Sequence, residues 1–170
     1  IQTLRAVQNF DITGVPISHF PALIRALAMV KKAAALANLE LQHLDKCKAE
    51  AIVAACDEII ADPKRFEDHF PVDLIQGGAG TSTNMNMNEV IANRGLEIMG
   101  KQKGEYHFLH PNNDVNCSQS TNDVYPTAAR LAIVFSDDPL MEAVQKLQSA
   151  LTDKAKEFDT VLKLGRTQLQ

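Results

Sequence analysis

Tryptophan is absent from the 170-residue sequence, and aromatic residues make up only 5% of it. A core without large rings must be filled by Ala, Leu, Ile and Val, which suits helix-on-helix packing. Excess basic charge is absent as well. A formal net charge of −4 argues against a nucleic-acid surface, which would show a basic stripe, so no nucleic-acid partner is expected. No apolar run approaches the roughly 20 residues that span a bilayer, and no signal-peptide pattern opens the chain, which argues against a membrane partner. Cysteine is sparse: Cys47, Cys56 and Cys117 are odd in number and lack metal-type spacing. They read as reduced thiols of a cytoplasmic protein.

What is present is ordinary bulk, 45% hydrophobic, enough for a substantial core in one domain or one and a piece. The opening IQTLRAVQNF has no initiator Met and the closing GRTQLQ has no breaking signal, so the chain reads as a segment of something longer. Pro21 can open a helix, because proline at the first helical position loses no hydrogen bond. Leu23, Leu27, Val30, Ala34, Ala37, Leu41 and Leu44 then recur at alternating spacings of four and three, which predicts a long packed seam. A second helix is predicted from Asp45 to Ala61, with Ile52, Cys56 and Ile59 on one face and Asp62-Pro63 as its stop. FPVDLI is short and β-prone. A third helix is expected from Ser82 to Met99, aligned on Met87, Ile91 and Ile98 and stopped by Gly100. The stretch from Lys101 to Gln119 lacks periodicity and reads as loop. A fourth helix should begin near Thr121, with Pro126 tolerated in its first turn and Asp138-Pro139 as an interruption. Leu140, Val144, Leu147, Leu151 and Phe158 restore a helical stripe, and TVLKLG suggests a short strand. The predicted class is mainly α, with minor short strands.

Three polar segments interrupt this pattern. In GGAGTSTNMNMNEV, Gly77–Val90, glycines run into hydroxyls and then amides. A glycine loop feeding a helix start presents N–H groups and the positive end of the dipole, which suits phosphate or carboxylate. No Lys follows at the Walker place, and the dinucleotide spacing is missing. An ordinary turn with a Ser/Thr cap would explain Gly80, Thr81 and Ser82, but not Asn84, Asn86 and Asn88, which are poor helix residues. In NCSQSTNDVYPT, Ser118, Ser120, Thr121, Asn122 and Asp123 crowd a helix start that needs one cap. In GRTQLQ, Thr167 and Gln168 follow Arg166, which could be a carboxylate fork or a structural ion partner. His107, His110 and Asp114 form no ligand signature, so no metal is assigned. Lys31-Lys32 and Asp57-Glu58 read as solvated helix faces.

The segments QGGAGTSTNMNMNEVIANR, HPNNDVNCSQSTNDVYPTA and LKLGRTQLQ, in this order on long helices, resemble the aspartase/fumarase superfamily. IQTLRAVQNF and VKKAAALAN are similar to it too, so the resemblance covers nearly the whole chain. It implies an N-terminal lyase domain over residues 1–119, followed over 120–170 by the first part of a central helical bundle. It also implies a homotetramer in which each site is built from segments of three subunits, and a reversible β-elimination from a succinyl-type dicarboxylate without organic cofactor. The substrate-binding positions it implies are Thr81, Ser82 and Asn84; Ser120, Thr121 and Asn122; and Thr167 and Gln168. GAGTSTN and Gln168 are closer to the ammonia-lyase branch, which converts L-aspartate to fumarate and ammonia. Fumarases tend to carry SGTQTN and a His in place of Gln168. The family's catalytic serine lies in a Gly-Ser-Ser-x-Met-Pro-x-Lys loop, whereas this sequence has no Ser-Ser pair, so the segment alone is expected to be inactive. An inactive oligomerising fragment and a phosphate- or nucleotide-binding module are the readings from other classes.

Overall fold

The computed structural model describes residues 1–76, 78 and 80–165. The architecture is mainly α. Among the described residues the helices are α1 (Gln2–Asn9), α2 (Pro21–Glu40), α3 (Lys46–Ala61), α4 (Thr81–Ile98) and α5 (Thr121–Glu157). Short 3-10 turns at Ile17–His19 and Pro63–His69 and a single π turn at Pro111–Val115 link them. The chain divides into two compact units, Ile1–Ile133 and Val134–Gln170.

In the first unit, α2 packs on α3 and α3 on α4, while α1 and the π turn lean on α4. Pro21 stands at the start of α2, where its missing N–H is harmless. The buried face of α2 differs from the predicted seam. Leu23 and Leu27 are on it, but it continues through Lys31, Ala35 and Asn38. Val30 and Ala34 are half-buried, and Ala37 and Leu41 are exposed. The face turns because its polar members find partners inside the fold, so apolar spacing alone does not trace it. α3 matches its expected limits, and Ile52, Cys56 and Ile59 are fully buried on it. Burial pushes the Cys56 thiol up to about 12, with Asp57 adding to the effect.

α4 is pressed against its neighbours by the lack of a side chain at Gly95. A Cβ there would stand 2.5 Å from Leu109 Cδ2 and 3.6 Å from the Ala51 carbonyl oxygen. Met87 and Ile91 are buried, but Ile98 at the end of the expected row is exposed. Glu89 on the same helix caps α1, accepting from Gln2 N at 2.8 Å, Thr3 N at 3.1 Å and Thr3 Oγ1 at 2.6 Å.

The expected strand at FPVDLI is an isolated antiparallel bridge between Pro16 and Asp73, with Ile17 N bonded to the Val72 carbonyl and Leu74 N to that of Val15. Asp73 converts the facing loop into a fixed turn instead. Its carboxylate accepts from the backbone N–H groups of Ile12, Thr13, Gly14 and Ile75 and from Thr13 Oγ1. Burial alone would raise its pKa, but these donors hold it at about 2. TVLKLG forms no strand over its described residues.

α5 overturns two expectations about proline. Pro126 is its sixth residue, past the first turn, and Pro139 lies inside it without ending it. Each proline removes one rung of the i→i−4 ladder, which a helix of 37 residues tolerates because the other rungs persist. In the second unit Leu140, Val144, Leu147 and Leu151 all lie on the exposed surface.

Candidate functional site

α4 begins at Gly80, whose φ of +86° is a left-handed conformation that favours glycine. Space demands glycine there as well, since a Cβ would fall 2.3 Å from the Tyr125 ring. Gln76 closes the turn from below: its Oε1 accepts from Thr83 N at 3.0 Å, and its Nε2 donates to Thr83 Oγ1. The cap is therefore glycine plus a glutamine side chain, not a Ser/Thr hydroxyl. Thr81 and Ser82 occupy the first two helical positions, Thr81 exposed and Ser82 half-buried. Their hydroxyls stand at the positive end of the helix dipole, where negative charge is favoured.

The start of α5 is built differently. Ser120 Oγ accepts from Asn122 N at 3.2 Å, so Ser120 is the single cap this helix needs. Thr121 Oγ1 accepts instead from Asn84 Nδ2 at 3.0 Å, across 37 residues of sequence. That bond and the Gly80–Tyr125 contact bring the two helix starts together. Asn122 is exposed beside them. Of the candidate residues, Thr81, Ser82, Asn84, Ser120, Thr121 and Asn122 thus belong to two adjoining helix starts. Arg166, Thr167 and Gln168 lie outside the described residues.

Behind this surface is an amide cluster in which Asn84 and Asn88 are buried and Asn116 and Gln119 half-buried. Asn116 Oδ1 receives Lys31 Nζ at 2.8 Å, Asn84 Nδ2 at 3.0 Å and Asn88 Nδ2 at 3.2 Å. Lys31 Nζ also donates to Gln119 Oε1 at 3.0 Å. Gln119 is itself fixed, since its Nε2 donates to the Val115 and Cys117 carbonyls. Asn38 Nδ2 ties α2 to the same loop through the Cys117 carbonyl at 2.9 Å. Asn86 points elsewhere, to the His69 carbonyl at 2.9 Å. The three asparagines that a turn and cap left unexplained are buried, and their Nδ2 groups hold α4 to its surroundings. Their Oδ1 atoms are buried without a donor among the described residues.

Lys31 corrects the reading of Lys31-Lys32 as a solvated face. Its side chain is wholly inside the fold, and burial lowers its pKa to about 7. Lys32 is half-buried against Asp57, and Glu58 is paired bidentately with Arg94 at 2.7 and 2.8 Å. The sequence offered a partial signal for the network: Asn116 and Gln119 stand in the second polar segment, but nothing linked them to Lys31.

The 107–114 region is occupied with its own folding. His110 Nδ1 accepts from Asn112 N and Asn113 N at 3.0 and 3.1 Å, which makes it a cap for the π turn. Asp114 accepts from His110 N and pairs with Lys48 at 2.8 Å. Chemically, the adjoining starts of α4 and α5 offer short neutral hydroxyls, an amide and a helix dipole. Groups of this kind favour negative charge, and none of the side chains named at the two helix starts is basic.

The whole chain, residues 1–170, matches the family model described as lyase. It is 59% identical to the aspartate ammonia-lyase of Pseudomonas canavaninivorans and 55% identical to that of Escherichia coli K12. Each alignment covers 100% of this chain and 35% of the relative, so the chain spans about a third of the length of these proteins. Among solved structures, it matches the fumarate lyase:delta crystallin from Brucella melitensis with a TM-score of 0.91 and 59% identity, covering 100% of this chain and 39% of that one. It also matches a class II fumarase from Schistosoma mansoni with a TM-score of 0.81 and 34% identity, over 100% of this chain and 35% of the other.

Proposed function

The chain belongs to the lyase family, and from that premise we propose that the full-length protein is an aspartate ammonia-lyase, eliminating ammonia from L-aspartate to give fumarate. The observation that supports this most is the junction of two hydroxyl-rich helix starts, Thr81-Ser82 on α4 and Thr121 on α5, joined by Asn84. Removing the C3 proton of aspartate puts a second negative charge on the adjacent carboxylate, as an enediolate-like intermediate. Fixed donors must meet that charge, and losing one such donor typically raises a barrier by about 2.7–4 kcal/mol. Thr81, Ser82, Asn84, Ser120, Thr121 and Asn122, with Thr167 and Gln168, are the proposed substrate-binding residues, Asn84 from a buried position in which its Nδ2 already bonds Asn116 and Thr121. Ser120 does double duty, its Oγ already serving as the α5 cap. The proton acceptor in this proposal is the serine of the family loop.

The proposed assembly is a cytoplasmic homotetramer with a lyase domain over 1–119 and a central bundle opening at 120. Among the described residues no helix is long and apolar enough to cross a membrane. Names of the matched relatives favour the ammonia-lyase over the fumarase reading. The test is a substrate comparison with the purified full-length enzyme. Fumarate should form from L-aspartate, and fumarate formation from malate alone would transfer the protein to the fumarase branch.

A further inference from the structure

Lys31 has no role in the elimination as described, yet it is the most deeply placed charged side chain of the first unit's interior. A lysine of this kind needs a reason. Its ammonium contacts amides, where a structural lysine inside a protein ordinarily finds a carboxylate. The acceptors are Asn116 Oδ1 at 2.8 Å and Gln119 Oε1 at 3.0 Å, both from the loop that leads into α5. Asn116 Oδ1 is also the oxygen on which Asn84 and Asn88 of α4 converge. One carbonyl oxygen thus gathers donors from α2 and α4, and Asn84 carries the chain of bonds onward to Thr121 Oγ1.

We infer that Lys31 is a positioning residue for the substrate-binding surface: through Asn116 it fixes the amide of Asn84 and, through Asn84, the hydroxyl of Thr121. This rests on the proposed function of that surface. The physical argument concerns orientation. An asparagine amide can turn over with little loss of shape, exchanging its oxygen and its NH2. Asn116 is locked one way round because Lys31 Nζ donates to both Asn116 Oδ1 and Gln119 Oε1, which occupies two N–H groups whether the amine is charged or neutral, while Asn116 Nδ2 is taken by the Gln119 carbonyl at 3.0 Å. With Asn116 Oδ1 fixed, Asn84 and Asn88 must present Nδ2 to it. Asn84 Nδ2 is then also the donor to Thr121, which makes Thr121 Oγ1 the acceptor in that bond and fixes the position of the hydroxyl oxygen. A methionine at 31 would fill the same space and impose no such order. Other charged and titratable groups near Lys31 leave its head group to these amides: Lys32 is paired with Asp57, and Cys56 is a buried thiol.

The test uses the full-length enzyme with L-aspartate as substrate and succinate, a dicarboxylate that cannot eliminate, as inhibitor. Wild type is measured first. No turnover of aspartate there overturns the proposed function, whereas the inference about Lys31 is judged only against an active wild type. In Lys31→Met, kcat/KM is expected to fall at least about tenfold and succinate inhibition to weaken, with the thermal midpoint unchanged or raised. The double variant Lys31→Met/Asn116→Leu should lose no more than the worse single variant, because the two residues act in series. Should Lys31→Met not fold, Asn116→Leu decides the question by the same readouts. Wild-type kcat/KM and succinate inhibition in a folded variant, or losses that multiply in the double variant, overturn the inference.

Discussion

At the residue scale, the structure separates hydroxyls that look alike in the sequence. Ser120 caps α5, so Ser120→Ala should lower stability by about 1 kcal/mol as well as reduce turnover. Thr121→Ala removes an acceptor of Asn84 without touching the cap, and its effect should appear mainly in kcat/KM. Thermal melts and steady-state kinetics on both variants check this, and a wild-type midpoint in Ser120→Ala would contradict the assignment of the cap. Asp73 is a second residue whose role has a measurable sign. Its folded pKa of about 2 lies below its ordinary 3.8, because five donors outweigh burial. A depressed carboxyl contributes stability that is fully present above its unfolded pKa and lost as pH falls through the folded value. The midpoint difference between wild type and Asp73→Asn should therefore shrink between pH 3.8 and about 2. A difference constant over that window would mean that the charge of Asp73 does not matter to the turn.

At the scale of the element, legibility in the sequence followed how local the deciding contacts are. α3 was readable to within a residue, because Asp45 and Asp62-Pro63 mark its ends and its apolar face packs as spaced. The start of α5 was readable for the same reason. The inner face of α2 was not, since Lys31 and Asn38 lie on it by virtue of partners about 80 residues away, Asn116, Gln119 and the Cys117 carbonyl. A Lys-Lys pair on a helix carries no local sign that one of the two is buried. The candidate site was half legible: hydroxyl and amide clusters stand out, but the Asn84–Thr121 and Gly80–Tyr125 contacts that join them are tertiary. Pro139 misled for another reason. A proline stops an isolated helix, but the 37-residue α5 has rungs enough on both sides to carry through. Pro139→Ala should accordingly stabilise the protein by about 1 kcal/mol or more, restoring a rung and removing a steric conflict. A lower midpoint in that variant would show that the proline is needed where it stands.

At the scale of the whole molecule, the second unit carries an apolar stripe that its own residues do not cover. Leu140, Leu147 and Leu151 are 60%, 60% and 63% exposed, and Val144 is 47% exposed. A continuous stripe of this kind is more than a monomer ordinarily shows to water. The 170-residue chain by itself should associate with copies of itself or aggregate, as read by size exclusion with light scattering. A sharp monomer peak would contradict this. The larger claim is that the starts of α4 and α5 together hold a dicarboxylate in the full-length enzyme. Thr81 tests it most directly, because its side chain is exposed while standing at the proposed anion end of α4. The deciding measurement is kcat/KM for L-aspartate in full-length Thr81→Ala beside wild type. A fall of at least about tenfold with an unchanged thermal midpoint is the expected result, and wild-type kcat/KM in the variant would contradict the account.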